Sequence, residues 1–168
     1  MVFIASYSSA LGAPASASAW TAGLAGVLVA LFAHYLRPVS LGPLAHPRPR
    51  ALAVYCGCVV GELALIAAGS RALNAGGHGD LRPALIATVV GLHFVPFAWA
   101  FREPMFLHLG LLVGVIGAGG LLAGALGVPH AANALAVVAG LTMIITIALY
   151  AQGRFVRRSA RGQPDQAD

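Results

Sequence analysis

The sequence predicts an all-α membrane protein, a compact bundle of five transmembrane helices. Two compositional observations carry that prediction: hydrophobic residues make up 59% of the 168-residue chain, and charged residues only 9%. Soluble domains carry roughly 25% charged residues, and a chain of this length has too much surface for its volume to hide so much apolar area from water. The third observation is that five apolar stretches are each long enough to cross a bilayer core, which takes about 20 residues of helix.

The five predicted spans are separated by short polar or Pro/Gly-rich breaks. The spans cover residues 18–36, 51–70, 83–101, 105–127 and 131–151. Pro83 lies at the start of the third span and Pro129 just ahead of the fifth, where a missing backbone N–H costs a helix little. Because the connections are short, we expect neighbouring helices to run antiparallel in one compact bundle. Residues 18–151 are therefore one predicted helical domain.

The two ends of the chain differ from the spans. Residues 1–17 mix apolar positions with serine and proline, and no basic residue precedes Arg37. They lack the basic start of a signal peptide, so we expect an exported segment that stays on the chain. Residues 152–168 are basic and then polar, and we expect a cytoplasmic tail that is disordered at its end.

The positions of the arginines predict an orientation. All ten basic residues are arginine, which is typical of a GC-rich bacterial genome. The first and third connections and the tail hold most of them, namely Arg37, Arg48, Arg50, Arg102, Arg154, Arg157, Arg158 and Arg161. The other side holds only Arg71 and Arg82. Because cytoplasmic loops retain positive charge, we expect a multi-pass protein of the bacterial inner membrane, with its N-terminus outside and its C-terminus in the cytoplasm.

The high isoelectric point, about 10.0, does not indicate nucleic-acid binding. The basic residues follow membrane sidedness, and no aromatic platform for stacking bases accompanies them. The expected partners are the lipid bilayer and anionic lipid headgroups. The arginines assigned to those headgroups are Arg48, Arg50, Arg154, Arg157 and Arg158.

A carboxylic acid inside the second span is the strongest functional clue. Glu62 lies where hydrocarbon tolerates a charge least, and ionisable residues at such positions usually face a partner, a cavity or a transported species. At about 100° per residue, Tyr55 and Cys58 share its face of the helix. His93 lies in the third span at a depth that differs by only a few Å at about 1.5 Å per residue. Because an isolated buried charge is costly, we expect Glu62 and His93 to meet.

Pro96 lies in the same span, close to His93. It has no N–H to donate to the carbonyl of Leu92, so we expect it to bend the helix there. A broken helix beside ionisable side chains is how many transporters build ion sites, which favours a proton- or cation-linked transporter or a transporter subunit. A purely structural histidine and proline remain the alternative. The candidate proton or ion site consists of Glu62, His93, Tyr55, Cys58 and Pro96.

The fourth span carries a second pattern, a face of small residues. Its members are Gly110, Gly114, Gly117, Gly120, Gly124 and Gly127. Their spacing confines them to about 140° of the helix circumference, so another backbone can approach closely. Packing within the bundle is one interpretation. The other is a non-enzymatic accessory or scaffold protein that docks a membrane partner or forms a homo-oligomer through this face.

Sequence motifs give little support to an enzyme. The chain has no nucleophile elbow, phosphate loop, dinucleotide fingerprint or metalloprotease helix, so a non-enzyme is the favoured interpretation. No metal site and no cofactor are predicted. One alternative is haem b held by His34 and His108, which should lie at similar depth on the cytoplasmic side.

Overall fold

The computed structural model describes residues 1–36 and 49–154. Within these ranges the chain forms helices and turns, and no β-strand. In chain order the helices are α1 (Val2–Tyr7), α2 (Ala13–Leu36), α3 (Pro49–Ala75), α4 (Arg82–Ala100), α5 (Pro104–Ala125) and α6 (Ala131–Ala151), with 3-10 turns at Ser8–Leu11 and Gly79–Leu81. Helices α2 to α6 are long and apolar enough to cross a membrane. The predicted all-α membrane fold with five spans is therefore confirmed.

Three helices form the centre of the bundle. Helix α4 packs along α5, α5 packs along α6, and α4 also contacts α6. Helix α3 packs along α4, and α2 packs along α6, so these two helices flank the centre. Of the 18-residue apolar stretch in each helix, only 6% is buried within the chain for α3, against 39% for α5 and for α6. Most of the surface of α3 is therefore available to the bilayer.

Helices α2 and α3 are consecutive in the chain but do not pack along each other. Helix α2 lies along α6 instead, with Ile144 of α6 so close to Gly26 that a Cβ at Gly26 would lie 2.6 Å from its Cγ2 atom. Lipid tails are as apolar as the side chains of a membrane helix, so the hydrophobic effect does not drive helices together in a bilayer. Close van der Waals packing holds them together instead. Gly26 therefore lets α2 approach α6 closely at Ile144. The connection between α2 and α3, residues 37–48, lies outside the described residues.

Glycines bring α4 and α5 into backbone contact. Gly91 of α4 lies against Gly114 of α5, and a Cβ on Gly91 would be 2.5 Å from the Cα of Gly114. Gly117 of α5 lies in the same way against the backbone of Thr88. Such close approach gains dispersion energy that larger side chains would prevent.

The N-terminal helix α1 is part of the bundle. Phe3 is buried against α4, α5 and α6, and Ile4 is fully buried against α2 and α6. The chain reverses at Gly12, whose φ of +87° favours glycine. Helix α2 then begins at Ala13 rather than at residue 18. Residues 2–11 therefore contribute side chains to the core of the helical domain.

The bundle has two ends that carry different polar residues. The first, named here the Arg102 end, holds the start of α3 with Arg50, the turn between α4 and α5 with Arg102, and Arg154 after α6. The second, named the Asp80 end, holds the connection between α3 and α4. Of the arginines assigned to lipid headgroups, Arg50 and Arg154 lie at the Arg102 end, whereas the others fall outside the described residues, namely Arg48, Arg157 and Arg158.

Candidate functional site

Glu62 and His93 face each other between α3 and α4. The Oε2 atom of Glu62 lies 3.5 Å from the Nδ1 atom of His93. Their side chains are 18% and 13% exposed, respectively. The contact predicted from their similar depth is therefore present, and it joins the middle of two helices that are both apolar enough to span the membrane.

The register of the two helices is defined on both sides of this pair. Toward the Arg102 end, Tyr55 stacks on Phe97 with a centroid distance of 5.5 Å. Toward the Asp80 end, Gly69 leaves room for Leu85, and a Cβ on Gly69 would lie 2.7 Å from a methyl group of Leu85. Tyr55, Glu62 and Gly69 follow each other at seven-residue intervals, which is two helical turns. This spacing places all three on the side of α3 that contacts α4.

An aromatic cluster surrounds the imidazole of His93. The ring of His93 lies 4.2 Å from that of Phe94 and 5.1 Å from that of Phe97, measured between centroids. Phe101 and Phe106 extend the cluster toward the Arg102 end. These phenylalanines were not singled out from the sequence. The sequence does indicate that three of them share one helix face, because Phe94, Phe97 and Phe101 recur at helical spacing.

The Nδ1 atom of His93 has no hydrogen-bond partner within the described residues, although it is buried. At 3.5 Å, its contact with Glu62 is too long for a hydrogen bond of ordinary geometry. A histidine that serves only as structure is expected to have its buried nitrogen hydrogen-bonded. The carboxyl group and the imidazole therefore face each other without a hydrogen bond between them.

The other two members of the candidate site lie beside the pair. Pro96 is half-buried in α4, and α4 continues through it to Ala100, so the helix is not broken there. Cys58 is half-buried on α3, one turn before Glu62. Its thiol is free, and the described residues hold no group of three or more His, Cys, Asp or Glu side chains that could bind a metal ion.

The two histidines considered as haem ligands lie on helices that do not pack along each other. His34 is exposed in the last turn of α2, and its ring contacts Tyr35. His108 is on α5, where its Nδ1 atom lies 2.8 Å from the carbonyl oxygen of Pro104 in its own helix. Both α2 and α5 pack against α6 rather than against each other. The structure therefore does not pair these two imidazoles across one helix interface.

The glycine face of α5 is turned toward α4. Gly110, Gly114, Gly117 and Gly120 are buried, with Gly110 close to Gly91 and Val95 of α4. Gly124 lies against Leu81, in the turn that precedes α4. Gly127 has a different role, because it ends the helix with a φ of +82°. A docking partner or a second copy would have to displace α4 to reach this face.

A polar pocket at the Asp80 end was not foreseen from the sequence. Its volume is about 330 Å³, and Tyr7 of α1, Asp80, Arg82 and Asn133 of α6 are among the residues that line it. Burial raises the pKa of Tyr7, and the positive charge of Arg82 opposes that effect. The pocket lies where α1, α4 and α6 meet and is separate from the contact between α3 and α4.

Comparison with protein-family models, with curated proteins and with solved structures finds no match to this chain. The function is therefore inferred from the site itself.

Proposed function

We propose that this protein is a proton- or cation-linked transporter, or a subunit of one, in which Glu62 exchanges the proton or ion and His93 tunes that exchange. The observation that carries the proposal is the pairing of a carboxyl group with an imidazole, 3.5 Å apart, at the middle of two candidate membrane spans. Ionisable side chains within membrane spans are costly, and functional roles are the default explanation for them.

The surroundings of the pair support an exchange role over a structural one. A structural pair is expected to be hydrogen-bonded, whereas Nδ1 of His93 has no such partner among the described residues. Packed phenylalanine rings lie on the side of His93 toward the Arg102 end. Toward the Asp80 end, α3 carries Ser70, whose buried hydroxyl also lacks a partner within the described ranges. We infer that protons or ions reach Glu62 from the Asp80 end.

The membrane context of the proposal follows from the arginines. The Arg102 end is proposed to face the cytoplasm and the Asp80 end the outside, in the inner membrane of a bacterium. Anionic headgroups are proposed to contact the cytoplasmic arginines. The alternative of an accessory protein that docks a partner through the glycines of α5 has less support, because that face already packs against α4.

Ion flux in liposomes tests the transporter proposal. Glu62→Gln should abolish proton movement driven by a gradient of protons, Na⁺ or K⁺, because the amide keeps the shape of the side chain and binds no proton. Glu103→Gln is the matched control, since Glu103 lies between α4 and α5, outside both spans, and should retain wild-type flux. A pH-sensitive dye inside the liposomes reports the movement. Equal flux in wild type and Glu62→Gln, or no flux in wild type with any of these cations, would contradict the proposal.

Thermal stability in detergent provides a test that needs no substrate. We expect Glu62→Gln to be as stable as wild type or more so from about pH 5 to about pH 9, because it replaces an ionisable group that is held inside the bundle without a hydrogen bond. Residues kept for activity are commonly suboptimal for stability. A loss of several degrees at every pH would instead show that Glu62 mainly holds α3 against α4.

A further inference from the structure

A pocket at the Arg102 end lies between the first turn of α3 and the last turn of α4. Its volume is about 200 Å³. The residues that line it are Arg50, Ala51, Val54, Trp99, Ala100 and Arg102. It therefore combines two arginines, one from the start of α3 and one from the turn after α4, with apolar residues.

The charges of the pocket call for an anion. Arg50 and Arg102 both line it, and neither forms an ion pair with a carboxylate within residues 1–36 and 49–154. Two like charges at one small pocket repel each other unless an anion lies between them. Arg50 and Ala51 also belong to the first turn of α3, which has no acidic residue and where backbone N–H groups lack helical acceptors. A helix start with such free donors favours a phosphate.

The remaining walls suit a lipid rather than a soluble anion. Trp99 is 80% exposed although it is a large aromatic residue, and Val54 is 39% exposed. Tryptophan is enriched where a membrane protein crosses the level of the lipid headgroups. An indole ring and a valine beside two arginines match the boundary between a phosphate and its acyl chains. Lipid is also what surrounds α3, because little of that helix is buried within the chain.

We propose that this pocket binds one anionic phospholipid, with its phosphate between Arg50 and Arg102 and its glycerol and upper acyl chain against Trp99 and Val54. Paired guanidinium groups bind phosphate oxygens through charge-assisted hydrogen bonds. The site differs from general attraction of the membrane surface to basic loops, because it holds a single lipid between α3 and α4. It does not depend on the role of Glu62 and His93.

Lipid retention tests this site. Delipidated protein in detergent is titrated with phosphatidylglycerol, phosphatidylcholine or inorganic phosphate, and native mass spectrometry and thermal unfolding report binding. We expect one phosphatidylglycerol to remain bound and to raise the unfolding temperature, and neither phosphatidylcholine nor inorganic phosphate to do so. An equal effect of phosphatidylcholine would overturn the proposal. An effect of inorganic phosphate alone would also overturn it and would identify a site for free phosphate.

Paired variants locate the lipid. The double variant Arg50→Gln/Arg102→Gln should weaken retention of phosphatidylglycerol by about tenfold or more, as expected for the loss of hydrogen bonds to a charged group. Arg71→Gln/Arg82→Gln is the matched control, since it removes the same charge from α3 and α4 near the Asp80 end. Trp99→Ala should also weaken retention. If the control double variant loses the lipid as strongly as the test variant, binding follows net charge and this pocket is not the site.

Discussion

Gly91→Ala should lower the stability of the protein by about 3 kcal/mol or more, because a single methyl group would collide with the backbone of α5. Its Cβ would lie 2.5 Å from the Cα of Gly114 and 2.8 Å from the carbonyl carbon of Val113. Backbone atoms cannot move aside by changing rotamer, so α4 and α5 have to separate. The loss corresponds to about 6 to 12 °C in unfolding temperature for a chain of this size. Thermal unfolding in detergent measures it.

Gly57→Ala is the matched control for this prediction. Gly57 lies on α3, and no atom would lie within 4 Å of a Cβ added there. Alanine favours a helix over glycine by about 1 kcal/mol, so this variant should be as stable as wild type or slightly more stable. Equal unfolding temperatures for Gly91→Ala and Gly57→Ala would show that the close contact of α4 with α5 contributes little.

The glycines illustrate what a sequence pattern can and cannot predict. Their three- and four-residue spacing predicts a smooth face on α5, because helical periodicity depends only on local geometry. The partner of that face depends on the opposing surface, where Gly91 and Thr88 of α4 present backbone rather than large side chains. A lone glycine in another helix gives no comparable pattern. Intramolecular packing and self-association were therefore indistinguishable from the sequence.

The five spans were predictable because the bilayer sets their length, while the start of the first span was not. Serines and a proline at the beginning of α2 resemble a loop, yet the Ser18 hydroxyl donates a hydrogen bond to the carbonyl of Pro14 within the helix. That bond satisfies the serine without leaving the helix. Helix α1 was missed for another reason. Six residues are too few to span a bilayer, and their burial depends on the other helices that surround Phe3 and Ile4.

The pair at the centre of the candidate site was predictable from depth alone. The connection between α3 and α4 is short, so the two helices are antiparallel neighbours, and the height of Glu62 along one helix determines which residue of the other it meets. The aromatic surroundings were not predictable in the same way, because Phe106 reaches the cluster from α5 and contacts Phe94 and Phe97 across the bundle. Whether a histidine is hydrogen-bonded likewise depends on side chains that only the fold brings together.

Phe3→Ala should destabilise the docking of α1 by about 2 to 3 kcal/mol, because it leaves a cavity where α4, α5 and α6 meet. Phe3 is only 9% exposed and belongs to one buried cluster with Ala87, Val113 and Ala136. The loss of stability is smaller than in a water-soluble core, because Phe3 of the wild type would still contact lipid when α1 detaches. What is lost is mainly the dispersion energy of a filled space.

Val2→Ala on the same helix is the control for this variant. Val2 is 79% exposed, so its truncation should change stability by less than about 0.5 kcal/mol.

Amide hydrogen exchange distinguishes the two ways in which Phe3→Ala could act. Helix α1 has only six residues and contacts α2 and α6, so it can detach while α4, α5 and α6 stay folded. Faster exchange confined to α1 is the expected result, because these three helices keep their own glycine contacts. If Phe3→Ala and Val2→Ala exchanged equally slowly throughout α1, the N-terminal helix would be held by its backbone contacts rather than by Phe3.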